Sequence, residues 1–347
     1  MSEALLNVKD LKVAFENKKN KTTIVDGVSF HVNKGETLCV VGESGCGKSL
    51  TSLSIMGLLP KTGKVDGGQI LFKDDDLSKK TQKQMSKIRG KKLSMIFQEP
   101  MTSLNPVHTV GRQIMETIML HEKMNKKAAR QRAIDMLKLV GIPSPEARID
   151  AYPHELSGGM RQRVMIAIAL SCQPELLIAD EPTTALDVTI QAQILELMKK
   201  LQEELNMGII MITHDLAVVS EVADEVLVMY AGKAVEQASR DQLFEKPLHP
   251  YTQGLLNCIP TINNEEEKEE LFVIKGTVPT ADNMPVGCRF ADRCPIAQEV
   301  CFASQPPTVN IDDHRVACWS YTEQWNHQEG GEQNDTSAGD YQQAISS

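Results

Sequence analysis

The sequence predicts an α/β protein in which a buried parallel sheet carries a phosphate-binding loop, and three observations predict it. Gly42-Glu43-Ser44-Gly45-Cys46-Gly47-Lys48-Ser49 is a complete G-x-x-x-x-G-K-S pattern, with an apolar run at 37–41 before it and a helix-like stretch at 50–59 after it. Apolar runs at 176–179 and 209–213 flank the helix-like stretch 188–205, as buried parallel strands joined by a crossover do. Between them and the loop, Ile114, Ile118, Ala133, Met136, Leu137 and Val140 recur at three- and four-residue spacings, which marks a helical insert.

Taken in order, residues 5–15 and 22–32 alternate like strands, and 95–98 reads as the end of another. This makes an N-terminal β-subdomain. A helical subdomain follows at about 105–170, within a nucleotide-binding domain that spans 1–245. Beyond Phe244 the pattern breaks up, with Pro247, Pro250, Pro260, an acidic run at 265–270, Pro279 and Pro285. We place a boundary there, with an extension at 246–322. Residues 323–347 are rich in Gln, Glu, Gly, Asn and Ser and read as a disordered tail.

Composition narrows the partners. The 347 residues are 41% apolar, enough for one large or two ordinary cores, and the net charge of −9 argues against nucleic acid as a partner. No basic segment followed by an apolar core opens the chain, and no apolar run nears 18 residues. A membrane role is therefore expected only through a partner.

The phosphate loop chemistry is explicit. Backbone N–H groups of the glycine turn, with a helix N-terminus behind them, attract a polyphosphate; Lys48 reaches its outer phosphates and Ser49 binds Mg²⁺. Leu50 begins the helix. The run Leu177-Ile178-Ala179-Asp180-Glu181 is a strand ending in two carboxylates: Asp180 suits Mg²⁺, and Glu181 suits a general base that orients water. Leu156-Ser157-Gly158-Gly159-Met160 precedes a good helix with Ser157 near its N-cap, which is either a second anion site or a plain cap.

The order of phosphate loop, Gln98, Leu-Ser-Gly-Gly-Met, Asp180-Glu181 and His214, with Ala185-Leu186-Asp187 beyond, resembles the nucleotide-binding subunits of ABC transporters over roughly residues 5–240. That resemblance implies a P-loop NTPase core, and a head-to-tail pair of subunits in which ATP is held between the loop of one and Ser157, Gly158, Gly159 and Met160 of the other. It further implies that Gln98 contacts Mg²⁺ and the attacking water, that His214 contacts the γ-phosphate, that Asp187 lies at the dimer interface, and that Phe15 stacks on adenine; core packing is the rival for Phe15. The fifth position of the Ser-Gly-Gly motif is Met160, where many members have Gln. The longer segments Tyr152-Pro153-His154-Glu155, Asp180-Glu181-Pro182-Thr183-Thr184 and His249-Pro250-Tyr251-Thr252 resemble ATPase subunits of dipeptide and oligopeptide importers, some of whose relatives carry nickel or other solutes.

Four of the eight cysteines crowd together as Cys288, Cys294, Cys301 and Cys318. In a chain without an export signal the spacing leaves zinc, an iron–sulfur cluster or four unrelated thiols open. The resemblance to peptide-importer extensions favours a 4Fe-4S cluster, with zinc as alternative, His314 as a substitute ligand, and Arg289 and Arg293 as donors to cluster sulfides.

The sequence thus predicts an ATPase at the cytoplasmic face of a membrane that powers import of peptides. Its partners are two transmembrane permease subunits, a second and related ATPase subunit and, indirectly, a solute-binding protein. A soluble ATPase of the same class acting on nucleic acid or ribosomes is the rival from another class.

Overall fold

The computed structural model describes residues 4–16, 20–98, 103–184, 187–258 and 273–326. The acidic run at 265–270, most of the polar tail, and Ala185 and Leu186 lie outside the described residues. Strands β1 (Leu6–Glu16), β2 (Lys21–Val32), β4 (Gly63–Phe72) and the short β5 (Asp75–Asp76) form an antiparallel sheet in the order β2-β1-β4-β5. The alternation read at 5–15 and 22–32 therefore does mark strands.

The second sheet holds eight strands. Its parallel centre is β3 (Thr37–Val41), β6 (Leu93–Ile96), β7 (Leu176–Asp180), β8 (Gly208–Ile212) and β9 (Glu225–Tyr230), in the order β9-β3-β8-β7-β6. Because side chains alternate along a strand, the two faces of these strands feed different cores. Leu38, Val40, Ile178, Ile210, Ile212, Leu227 and Met229 pack with the antiparallel sheet, while Cys39, Val41, Leu177, Ala179, Met211, Val226 and Val228 pack with the helices. Near-continuous apolar runs are what a sheet buried on both faces requires.

Helix α1 (Lys48–Met56) follows the phosphate loop. The helical insert, which the spacing suggests as one stretch, is divided into α2 (Val110–His121) and α3 (Lys126–Leu139). Asn125 explains the division, since its side chain accepts the Ala128 N–H at 2.9 Å and starts a new helix. Helix α4 (Gly158–Leu170) begins at the Ser-Gly-Gly motif, and α5 (Val188–Leu205) is the crossover between β7 and β8.

The C-terminal segment is joined to the same sheet. Strand β10 (Lys233–Ser239) pairs with β12 (His314–Val316), which pairs with β11 (Val309–Ile311). The side chain of Glu236 pins the turn into helix α6 (Pro250–Asn257): it accepts the N–H of Leu248 at 2.6 Å and of His249 at 2.9 Å, and faces His314 Nε2 at 2.6 Å. Its side chain is 0% exposed.

Candidate active site

Four strand ends converge at one edge of the parallel centre: the phosphate loop after β3, Gln98 after β6, Asp180-Glu181 at the end of β7, and His214 after β8. A parallel sheet presents the carboxyl ends of its strands together, so residues distant in sequence share one crevice.

The loop shape depends on glycine. Gly42 has φ +148, and a Cβ there would lie 2.1 Å from the Met229 carbonyl oxygen. Gly47 has φ +101 and ends the loop at the start of α1. Lys48 donates to the carbonyl oxygens of Gly42 at 2.6 Å and Glu43 at 3.0 Å, and its Nζ is 3.7 Å from Cys46 Sγ. The lysine is thus held by carbonyl oxygens of its own loop. Ser44 and Gly45 stand exposed at the loop's crest, and Leu50 is half-buried against the β-side core.

Beside it, Ser49 Oγ donates to Asp180 Oδ1 at 3.2 Å. Burial, aided by the nearby Glu181 charge, pushes the Asp180 carboxyl above its ordinary value, against the pull of the Ser49 hydrogen bond. A hydroxyl and a carboxylate side by side are hard oxygen donors suited to Mg²⁺, which takes its remaining ligands from phosphates and water.

Glu181 is the centre of a second group. Its Oε2 accepts from Gln98 Nε2 at 2.7 Å and from Thr184 Oγ1 at 2.9 Å, while Oε1 lies 3.3 Å from His214 Nδ1. Burial alone would raise its carboxyl, but the Thr184 and His214 contacts and the Gln98 amide bring it below the ordinary value. Its backbone has φ +48, a conformation that costs a side-chain-bearing residue about 1 kcal/mol. Strain of this kind gathers where geometry serves chemistry.

Other expected residues lie on other elements. Ser157 caps α4, its Oγ accepting the Met160 N–H at 3.4 Å, and both Ser157 and Gly158 are exposed. A Cβ on Gly158 would meet nothing within 4 Å, while one on Gly159 would meet Ile190 at 3.0 Å. Asp187 is exposed and caps α5 through the Ile190 N–H at 2.9 Å. Phe15 is half-buried beside Gly63, on the rim of the β-side core.

The metal reading of the late cysteines is overturned. Cys288, Cys294, Cys301 and Cys318 are free thiols. Burial, with the neighbouring thiols' charges adding to it, pushes Cys288 up to about 11 and moves Cys294 and Cys318 the same way. They pack as small apolar residues, Cys301 beside Ala291 and Trp319, and Cys318 beside Leu248 and Val316. Among the described residues no group of three or more His, Cys, Asp or Glu side chains is placed to hold a metal ion. Neither a 4Fe-4S cluster nor zinc is assigned.

The expected helpers of such a centre are committed elsewhere. His314 faces Glu236; Arg289 donates to the Asp26 carboxylate at 3.0 Å and to the Ala231 carbonyl; Arg293 Nη1 donates to Glu43 Oε2 at 3.0 Å. Sequence reasoning missed three contacts near the site. Thr184 on Glu181 lay inside a quoted motif, and Tyr251, whose hydroxyl oxygen accepts the Glu43 N–H at 2.8 Å, lay inside another. Gln162, buried in α4 between two arginines, donates to the Pro182 carbonyl beside Glu181.

The loop, the paired carboxylates and the α/β frame define a P-loop ATPase of the ATP-binding cassette class. Residues 25–184 match the ABC transporter family, and 235–301 match the C-terminal region of oligopeptide/dipeptide transporters. The chain is 58% identical over 331 residues, 95% of its length and 99% of the relative's, to the oligopeptide transport ATP-binding protein AppD of Bacillus subtilis. It is 50% identical over 318 residues, 92% of its length and 97% of the relative's, to the dipeptide transport ATP-binding protein DppD of Escherichia coli. Among solved structures, a dimeric post-hydrolysis state of an ATP-binding cassette bound to ADP and Pi aligns with TM-score 0.61 and 26% identity, over 68% of this chain and 98% of that one. The chain belongs to the family of oligopeptide and dipeptide transport ATP-binding proteins. Among the described residues no helix is long and apolar enough to cross a membrane.

Proposed function

We propose that this chain is the ATP-hydrolysing subunit of a peptide importer, peripheral to the cytoplasmic face of the membrane and bound there to two permease subunits. The observation that carries it is the meeting of Gln98, Thr184 and His214 on the Glu181 carboxylate, next to a phosphate loop and Asp180. A carboxylate already gripped by an amide, a hydroxyl and an imidazole is placed to accept a proton from water and to orient it. Lys48 binds the outer phosphates once they draw it from the Gly42 and Glu43 carbonyls. Ser49, Asp180 and Gln98 would hold Mg²⁺, which when bound neutralises charge on the phosphates.

The exposed Ser157–Gly158 start of α4 supports a paired arrangement. A helix N-terminus with room for close approach is an anion site, and in our reading it serves the ATP held by a second ATPase subunit, a related chain rather than a copy. Asp187 then faces that subunit, and Phe15 the adenine. Residues 1–245 form the nucleotide-binding domain, with the insert at about 105–170, and 246–322 its extension. A solute-binding protein outside the membrane delivers the peptide.

Uptake of labelled di- and oligopeptides, measured in cells that lack this chain, tests the proposal. Return of uptake with the wild type, and none with Lys48→Ala, is the expected result. Equal uptake with both would refute ATP-driven transport, and accumulation of nickel instead of peptide would refute the cargo.

A further inference from the structure

The first variable residue of the phosphate loop, Glu43, is gripped from outside the nucleotide-binding fold. Its N–H is bound by the Tyr251 hydroxyl at 2.8 Å, from the start of α6, and its carboxylate by Arg293 at 3.0 Å. Its carbonyl oxygen meanwhile accepts from Lys48 at 3.0 Å. One residue therefore joins the lysine of the phosphate site to the C-terminal segment.

Neither grip is an incidental surface contact. Tyr251 is fully buried, and the Arg293 side chain is 6% exposed. The guanidinium is fixed at several points: Nη1 also reaches Tyr230 Oη at 3.3 Å, Nε the Lys275 carbonyl at 3.0 Å and Nη2 the Ile274 carbonyl at 3.2 Å. It lies over the rings of Tyr230 and Phe290, 5.7 and 5.9 Å from their centroids. An arginine held this firmly transmits the position of the segment to whatever its free edge binds. That edge binds Glu43.

We propose that Arg293 and Tyr251 are positioning residues of the nucleotide site, through which the C-terminal segment sets the shape of the phosphate loop and hence its affinity for MgATP. This rests on the loop being the ATP site. Neither residue touches the carboxylate group around Glu181, so the segment tunes binding and leaves the chemical step alone.

The test uses the full-length chain, with MgATP affinity from calorimetry and kcat and KM from phosphate release. Arg293→Gln and Glu43→Gln each raise Kd and KM about tenfold, as ordinary coupling between sites does, with kcat within about twofold. The double variant is no worse than either single one, because one interaction is lost in all three. Arg293→Lys recovers much of the affinity, and Tyr251→Phe weakens binding with the same kcat. A lowered melting temperature in Arg293→Gln with wild-type Kd and KM would overturn the proposal, leaving Arg293 as glue for the segment. Should Arg293→Gln not fold, Glu43→Gln and Tyr251→Phe decide, and unchanged Kd in both would overturn it equally. Lys48→Ala, which abolishes binding in every background, reports on the site itself; a wild-type chain that did not bind MgATP would overturn both readings.

Discussion

Replacing Glu236 by Ala should loosen the C-terminal segment and, through it, the nucleotide site. Its side chain is wholly buried and serves three donors: the Leu248 and His249 N–H groups and His314 Nε2. Truncation leaves all three unpaired. An orphaned buried donor costs about 1–3 kcal/mol, and with partial relaxation at Leu248 we expect a loss of about 4 kcal/mol. For a domain of this size that is a fall in melting temperature of about 10 °C. Denaturation followed by tryptophan fluorescence suits the case, because Trp319 and Trp325 both lie in the segment. Glu236→Gln, which keeps the shape and one acceptor oxygen, should lose about half as much. A loss under about 1 kcal/mol for Glu236→Ala would refute the claim that this carboxylate pins the segment.

Three further outcomes are expected. Glu181→Gln should bind MgATP while phosphate release falls about 10²–10⁴-fold, since glutamine keeps the left-handed backbone but cannot take a proton; turnover within tenfold of wild type would remove Glu181 from that role. Gly42→Ala should cost more than about 3 kcal/mol and abolish nucleotide binding, as its methyl would overlap the Met229 carbonyl oxygen; a soluble variant with normal Kd would count against the loop geometry. Burial holds the His249 ring down to about 4 from 6.5, and its Nδ1 accepts the Tyr251 N–H at 3.0 Å, so the folded ring is neutral. A folded value below the unfolded one makes this contribution whole above pH 6.5 and lost as pH falls toward 4, by up to about 3 kcal/mol. Urea midpoints at pH 7 and 4.5 should differ accordingly in the wild type and much less in His249→Asn.

What was legible in the sequence was local. A glycine turn between an apolar strand and a helix announces the phosphate loop within a dozen residues, and Asp180-Glu181 closes a strand of evident character. The contacts that tie the segment to the loop span 208 residues for Tyr251 and 250 for Arg293, and no periodicity reports such distances. Arg293 in sequence is merely a cation among cysteines, and only the fold shows which carboxylate it meets. The cysteines misled for a related reason. Density of Cys and His is the outward sign of a metal centre, but small buried thiols also fill a compact segment, and spacing along the chain does not separate the two.

The pairing of β12 with β10 reaches beyond the nucleotide. Had the chain stopped after Ser239, β10 would be the outermost strand of a large sheet, with its backbone donors and acceptors open to any other chain. The added hairpin closes that flank and hands the exposed position to β11, three residues long. A strand so short offers little template for self-association, so the segment also blunts the edge of a sheet whose parallel centre is built almost entirely of apolar residues.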